Sequence, residues 1–248
     1  KLASELNSRS LACLALYDFC NAFPTLVHEW IFLVLEALLF PGWLLRLIHC
    51  MYMRINAHSS GVGDGGWLFL VLCGVKTGCP LSSLLFLLGI NPIVDLFTLC
   101  SDGPGSSVTR LCADDFGSAL ANLGVLRAQA SIFRVCSQIT GLCLKPTKCV
   151  LIFTCIDLLP DQIVKIRKWL LRFVPDFKDF KIAKQGKYLG WFLGEDSSEH
   201  SFKEAYAKFY NRLEEVAKAN APAAMSVIAY NQRLAHDFSY LLQIGLPN

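Results

Sequence analysis

Leu111-Cys112-Ala113-Asp114-Asp115-Phe116-Gly117 sets two adjacent carboxylates inside an apolar stretch. The flanking residues, 108–113 and 116–120, read as short strands, so the pair falls at a tight turn between them. Two anions this close repel, and each disfavours the charged form of the other. A divalent cation removes the conflict. Upstream, residues 11–16 form an unbroken apolar run that closes on Tyr17-Asp18 and reads as a buried strand. Adjacent strands lie roughly 4.8 Å apart. Asp18, at a strand end, could therefore complete a three-carboxylate site for magnesium. Such oxygen ligands can hold two ions roughly 3.5–4 Å apart, stabilising the attacking and leaving oxygens of a phosphoryl transfer. An ordinary exposed turn is the other reading of a lone Asp-Asp pair, since Asp favours turns.

From this centre the expected elements extend both ways. Helices are expected at 28–39, ending before Phe40-Pro41-Gly42, and at 43–53. Residues 57–66 read as a loop and 67–73 as a strand. A turn over 74–80 leads into an apolar helix, 81–100, and then a loop over 101–107. Asn122 is a candidate N-cap. The helix after it carries Val125, Ala128, Ile132, Phe133, Cys136 and Ile139 at helical spacing and ends at Gly141. A strand is expected at 149–154. Strand, helices, strand pair, helix, strand is the split βαβ, ferredoxin-like order of an α/β (α+β) fold. Beyond it, residues 161–187 hold eight basic residues against three acidic ones. Residues 188–194 read as a tight hairpin, and 203–220 and 223–242 as helices.

Composition narrows the function classes. Hydrophobic residues make up 54% of the 248 and charged residues 17%, which excludes a disordered, solvating chain. The mean hydropathy of +0.43 calls for a membrane test. The longest uncharged window, 77–94, is 18 residues, near the lower limit for a span, and is interrupted by Pro80, Asn91 and Pro92. No membrane partner is expected. A net charge of +3 suits a polyanion partner. The 11 cysteines are odd in number and form no CxxC pair. Neither a zinc pattern nor a disulfide framework follows; buried free thiols in a reducing, intracellular compartment are expected. His28-Glu29 lacks the second His of HExxH, and the glycine-rich stretch 61–66 lacks the GK(S/T) of a P-loop. Asp64, Asp95 and Asp102 read as turn or cap residues.

Five segments, in order, resemble the palm motifs of reverse transcriptases, most closely those of non-LTR (LINE-type) retrotransposons. Asp18-Phe19-Cys20-Asn21-Ala22-Phe23 resembles motif A, DFxxAF. Gly74-Val75-Lys76-Thr77-Gly78-Cys79-Pro80-Leu81-Ser82 resembles motif B, GV(R/K)QGCPLSP. Cys112-Ala113-Asp114-Asp115 resembles motif C, (F/Y)ADD. Thr140-Gly141-Leu142-Cys143-Leu144, with Lys148 after it, resembles motif D, and Tyr188-Leu189-Gly190 motif E. Each alone is weak; the series at these intervals is specific, and covers about residues 11–194.

The resemblance implies a polymerase palm over 1–160 and a basic segment with a primer-grip hairpin over 161–200. It also implies the start of a helical thumb over 201–248. It implies an RNA-directed DNA polymerase, a nucleotidyltransferase using Mg²⁺ or Mn²⁺, with an RNA template, a DNA primer and deoxynucleoside triphosphates as partners. The setting would be cytoplasmic or nuclear. Asp18 and Asp114 would be the main metal ligands and Asp115 the second carboxylate of its turn. Lys148 would donate a proton to departing pyrophosphate. Phe23 would lie under the sugar and favour deoxynucleotides. Phe19, Lys76, Thr77 and Gly78 would lie at the nucleotide, and Pro80, Tyr188, Leu189 and Gly190 at the primer and template. Four positions depart from the family's pattern: Thr77 for glutamine, Cys112 for an aromatic residue, Pro24 for Asp, and Ser83 for Pro. Seventeen residues precede Asp18, too few for the family's fingers region, so little activity is expected from this chain alone. An inactive palm remnant that binds nucleic acid is the alternative. An RNA-dependent RNA polymerase, which Phe23 argues against, and a multi-spanning membrane protein stand behind it.

Overall fold

The computed structural model describes residues 11–60, 66–100 and 107–245. Residues 61–65 of the glycine-rich loop, with Asp64, and 101–106, with Asp102, lie outside the described residues. The chain divides into two compact units. One is Lys1–Leu151 with Leu158–Ile182, the other Ile152–Asp157 with Ala183–Asn248.

The first unit is built on β1 (Cys13–Tyr17), β4 (Val108–Cys112) and β5 (Asp115–Leu120). β2 (Ile55–His58) and β3 (Trp67–Val71) form a separate two-stranded sheet. Its helices are α1 (Ala22–Thr25), α2 (His28–Ala37), α3 (Gly42–Tyr52), α4 (Pro80–Leu99), α5 (Leu126–Thr140) and α6 (Pro160–Phe173). With β6 (Val150–Ile152) and β7 (Lys181–Ala183), the main sheet has the order β4-β5-β1-β6-β7. β5 runs antiparallel to both β1 and β4. β1 and β4 are therefore parallel, with β5 inserted between them, which is the split βαβ arrangement in an α+β fold.

Alternation along the strands decides what holds this sheet. Tyr17 and Phe116, cross-strand partners, point to the helix side. There Tyr17 meets Phe97 of α4, Phe133 of α5, Phe177 and Phe180, with ring centroids 4.8–6.5 Å apart. Tilted and edge-on contacts of this kind add about 0.5–1.5 kcal/mol per pair beyond area burial. The Tyr17 hydroxyl donates to Gln129 Oε1. Gln129 Nε2 donates to Ser118 Oγ at 3.2 Å, and Ser118 Oγ lies 2.8 Å from Thr109 Oγ1. This buried chain gives Tyr17, Gln129, Ser118 and Thr109 hydrogen-bond partners inside the core.

Several elements differ from expectation. Residues 57 and 58, expected as loop, belong to β2, which pairs antiparallel with β3. α5 opens with a 3₁₀ turn, Leu123–Val125, and Asn122 makes no side-chain cap. Its buried face is Leu126, Gln129, Ala130, Ile132, Phe133, Cys136 and Thr140; Ala128 and Ile139 are exposed. The expected buried thiols are mostly exposed: only Cys13, Cys136 and Cys149 of the eleven are buried, and all are free. α4 is, among the described residues, the one helix long and apolar enough to cross a membrane. Leu85, Phe86, Ile90, Ile93 and Phe97 along it are buried in the core.

The second unit carries the hairpin β8 (Gln185–Tyr188) and β9 (Trp191–Gly194), then α7 (Ser197–Lys218), α8 (Ala223–Arg233) and α9 (Leu241–Ile244). The helix expected over 223–242 is thus broken after Arg233. Phe202, Ala205 and Leu241 are its buried core, with Trp191 and Phe238 packed on them. Asp237, its side chain 2% exposed, receives Lys208 at 3.2 Å and Arg212 at 2.5 Å. The basic segment is divided between the units: α6 belongs to the first and the hairpin to the second.

Candidate active site

The β4–β5 turn is two residues, Ala113-Asp114, since Cys112 pairs with Asp115. Tight hairpin turns demand a left-handed first residue, and Ala113 has φ 54°. Asp114 therefore stands at the tip and Asp115 opens β5. The register of β1 against β5 ends at Tyr17 and Phe116, and Asp18 and Asp115 are the next residues at that end. Alternation points both away from the aromatic face. The Asp115 carboxyl is held above the usual carboxylate range, first by burial, then by the charges of Asp114 and Asp18. The charges of Asp114 and Asp18 thus both bear on Asp115.

Asp18 is fixed by its backbone. Its N–H donates to Cys149 Sγ at 3.3 Å, and its carbonyl accepts from the Lys145 N–H at 2.8 Å. Phe19 bridges Leu144 in antiparallel fashion, and the Cys20 N–H donates to the Cys143 carbonyl at 2.8 Å. Residues 143–149 are thereby laid along the strand end. Lys148 Nζ comes to 3.8 Å from Asp18 Oδ1, both side chains about half exposed. Cys149 is buried, which pushes its thiol up to about 11 and keeps it a neutral hydrogen-bonding group.

The short helix α1 is clasped from two directions. The Gly74 N–H donates to the Leu26 carbonyl at 2.7 Å and the Val75 N–H to the Phe23 carbonyl at 2.9 Å. A β-carbon on Gly74 would lie 2.7 Å from the Pro24 carbonyl oxygen. From the other direction the Val27 N–H donates to the Thr140 carbonyl at 2.9 Å. A β-carbon on Gly141, whose φ is 79°, would overlap the carbonyl oxygen of Thr25. Only glycine fits either position. The clasp sets the 74–80 turn beside α1.

The remaining expected residues fall as follows. Phe23 is half-buried and stacks on Phe86 at 4.3 Å. Phe19 is 7% exposed, edge-on to Phe116 and Phe133, so its ring supports the sheet beneath the site. Thr77, Gly78 and Pro80 are exposed. Lys76 is also exposed, with Nζ 5.5 Å from the centre of the Tyr52 ring. Tyr188 closes β8, and Leu189 and Gly190 form the β8–β9 turn in the second unit, with φ 50° at Leu189 and 81° at Gly190.

Sequence reasoning missed the residues that hold the 74–82 turn. The Lys76 N–H donates to the Tyr52 hydroxyl at 3.3 Å, Ser82 Oγ to the Lys76 carbonyl at 2.6 Å, and His28 Nε2 lies 2.8 Å from the Gly74 carbonyl. A buried His and Tyr on otherwise apolar helix faces were the available signal.

No protein-family model matches the chain, and no curated protein matches it. Two solved structures are similar, each at 10% identity and a TM-score of 0.47. One is apo telomerase from Candida tropicalis, truncated from its C-terminal domain; the match covers 78% of this chain and 36% of that one. The other is telomerase from Candida albicans in complex with a fragment of telomeric RNA; the match covers 100% of this chain and 43% of that one. The chain therefore spans less than half the length of either.

Proposed function

We propose that the chain carries the palm of an RNA-directed DNA polymerase of the non-LTR retrotransposon kind. One observation carries this reading: Asp18, Asp114, Asp115 and Lys148 lie together at one end of a split βαβ sheet. The reaction would be attack of a primer 3′-hydroxyl on a deoxynucleoside triphosphate opposite an RNA template. An intracellular setting goes with it.

The donor set fits a hard divalent cation, Mg²⁺ or Mn²⁺: three carboxylates, one held above its ordinary range by burial and by the other two. Asp18 and Asp114 would be the main ligands, with Asp115 beside them. When bound, such an ion supplies charge stabilisation at the reacting phosphate oxygens. The chain's own residues supply position. The backbone bonds to Cys149 and Lys145 fix Asp18. Lys148 would hold a proton toward the leaving pyrophosphate. Phe23, braced by Phe86, would lie under the sugar, and the clasped 74–80 turn beside the base.

A second reading, a palm that binds nucleic acid without catalysis, is favoured by a different observation. Among the described residues, no three Asp, Glu, His or Cys side chains are gathered closely enough to hold a metal as they stand.

Calorimetry of Mg²⁺ or Mn²⁺ binding, with a primer–template duplex present, separates the two. The chain is compared with its Asp18→Asn/Asp114→Asn variant. Uptake lost in the variant supports the polymerase palm. Duplex binding with no metal uptake by either form overturns it in favour of the binding remnant. Binding of that kind would weaken steeply as salt rises.

A further inference from the structure

Eleven cysteines without a disulfide framework invite the question of which thiols can meet. The Phe19–Leu144 bridge is antiparallel. The Lys145 N–H donates to the Asp18 carbonyl on one side of it, and the Cys20 N–H to the Cys143 carbonyl on the other, both at 2.8 Å. This register sets Cys20 directly opposite Cys143. The Cys20 N–H to Cys143 carbonyl bond is one of the two that define a hydrogen-bonded antiparallel pair; residues in such pairs have α-carbons about 5.5 Å apart and project to the same side of the ribbon. That α-carbon separation lies within the range a disulfide spans, about 4.4–6.8 Å, and closing the bond draws the β-carbons in to about 3.5–4.5 Å. Both cysteines are exposed and free.

The other cysteines in described strand pairings are differently placed. Cys13 faces Leu120, Cys112 faces Asp115 and Cys73 faces Val27. Cys149 is near but buried, its sulfur engaged by the main chains of Asp18 and Lys145. Exposure and opposition coincide at Cys20 and Cys143.

We propose that Cys20 and Cys143 are a modification site: a cross-strand dithiol that closes to an intramolecular disulfide when it meets a small-molecule disulfide such as oxidised glutathione. The sulfur of one cysteine attacks the small disulfide, forming a mixed disulfide and releasing one small thiol. The sulfur of the other then attacks the protein-bound sulfur and releases the second small thiol. Two electrons pass from the cysteines to the small disulfide, and the two cysteine protons end on the released thiols. The new bond ties the strand end that carries Asp18 to the segment that carries Lys148. A reductant of the thiol class reverses it.

The proposal goes beyond the polymerase reading and does not depend on it, because the readout is covalent. The full chain is equilibrated in mixtures of reduced and oxidised glutathione, quenched with acid, alkylated and digested, and its linked peptides are identified by mass spectrometry. The expected result is a Cys20–Cys143 link as the dominant product. It is lost in Cys20→Ser and in Cys143→Ser, kept in Cys50→Ser, and removed by added reductant. Glutathione left singly on Cys20 or Cys143 with no link between them overturns the proposal. So does a link that the other exposed cysteines form as readily.

Discussion

The ammonium of Lys148 stands 3.8 Å from the Asp18 carboxylate, and both groups remain open to water, 57% and 41% exposed. A pair so exposed adds little to stability, less than about 1 kcal/mol. Lys148→Ala should therefore leave the denaturant midpoint almost unchanged. If Lys148 serves as a general acid, the same change should slow single-turnover primer extension by roughly a hundredfold. A large stability loss, or no loss of rate in an active preparation, would give Lys148 a different role.

The raised Asp115 carboxyl makes stability depend on pH in a defined direction. Burial, then Asp114 and Asp18, lift its folded value, so the folded chain holds that proton more tightly than the unfolded chain. Stability is then lost as pH rises from the unfolded carboxylate value, about 3.9, through the raised folded value, and the loss is complete at neutral pH. Asp115→Asn removes the charge. The variant should melt higher than the parent at neutral pH and lose that advantage well below the carboxylate range. An equal advantage at both pH values would contradict the assignment.

Tyr17 and Gln129 are buried partners on separate elements. Tyr17→Phe leaves the Gln129 carbonyl oxygen without its donor, an expected loss of about 1–3 kcal/mol. Tyr17→Phe/Gln129→Leu should recover part of that loss, because the stranded Gln129 oxygen is gone and Ser118 Oγ, which loses Gln129, keeps Thr109. Urea unfolding of the two variants measures the difference; equal losses would mean that the stranded Gln129 oxygen carries no cost.

Gly141→Ala tests the clasp on α1. The new β-carbon meets the Thr25 carbonyl at a backbone conformation that side chains rarely adopt. The expected loss is at least about 1 kcal/mol, read as a lower denaturant midpoint. A neutral result would show that residues 25–27 can shift away freely.

The elements legible in the sequence were those whose pattern is local. The run into Tyr17-Asp18 read as a buried strand and is one, and the turn expected at Asp114-Asp115 lies one residue earlier, at Ala113-Asp114. Asn56 and His58 hid β2, because a four-residue strand of alternating exposure differs little from a polar loop. α8 ends near Leu234 with no Gly or Pro to announce it. The exposure of Cys20 and Cys143 depends on which strand edge they occupy, which no local pattern encodes. Gln129 sits in the apolar stripe of α5, and its partner, Tyr17, lies far away in sequence. The three carboxylates were visible as residues; the effect of Asp18 and Asp114 on Asp115 required the register of β1 against β5.

The clasp on α1 also bears on how the chain reaches its fold. Gly74 and Gly141 lie far along the chain from Pro24 and Thr25, so neither contact forms until long loops have closed. The segment after Asp18 therefore has no local route to its final conformation and should set late. Changes at the clasp should then show mainly in the unfolding limb of a chevron, with the folding limb little altered. The part of the molecule nearest the carboxylates would be the last to assemble and the first to be released.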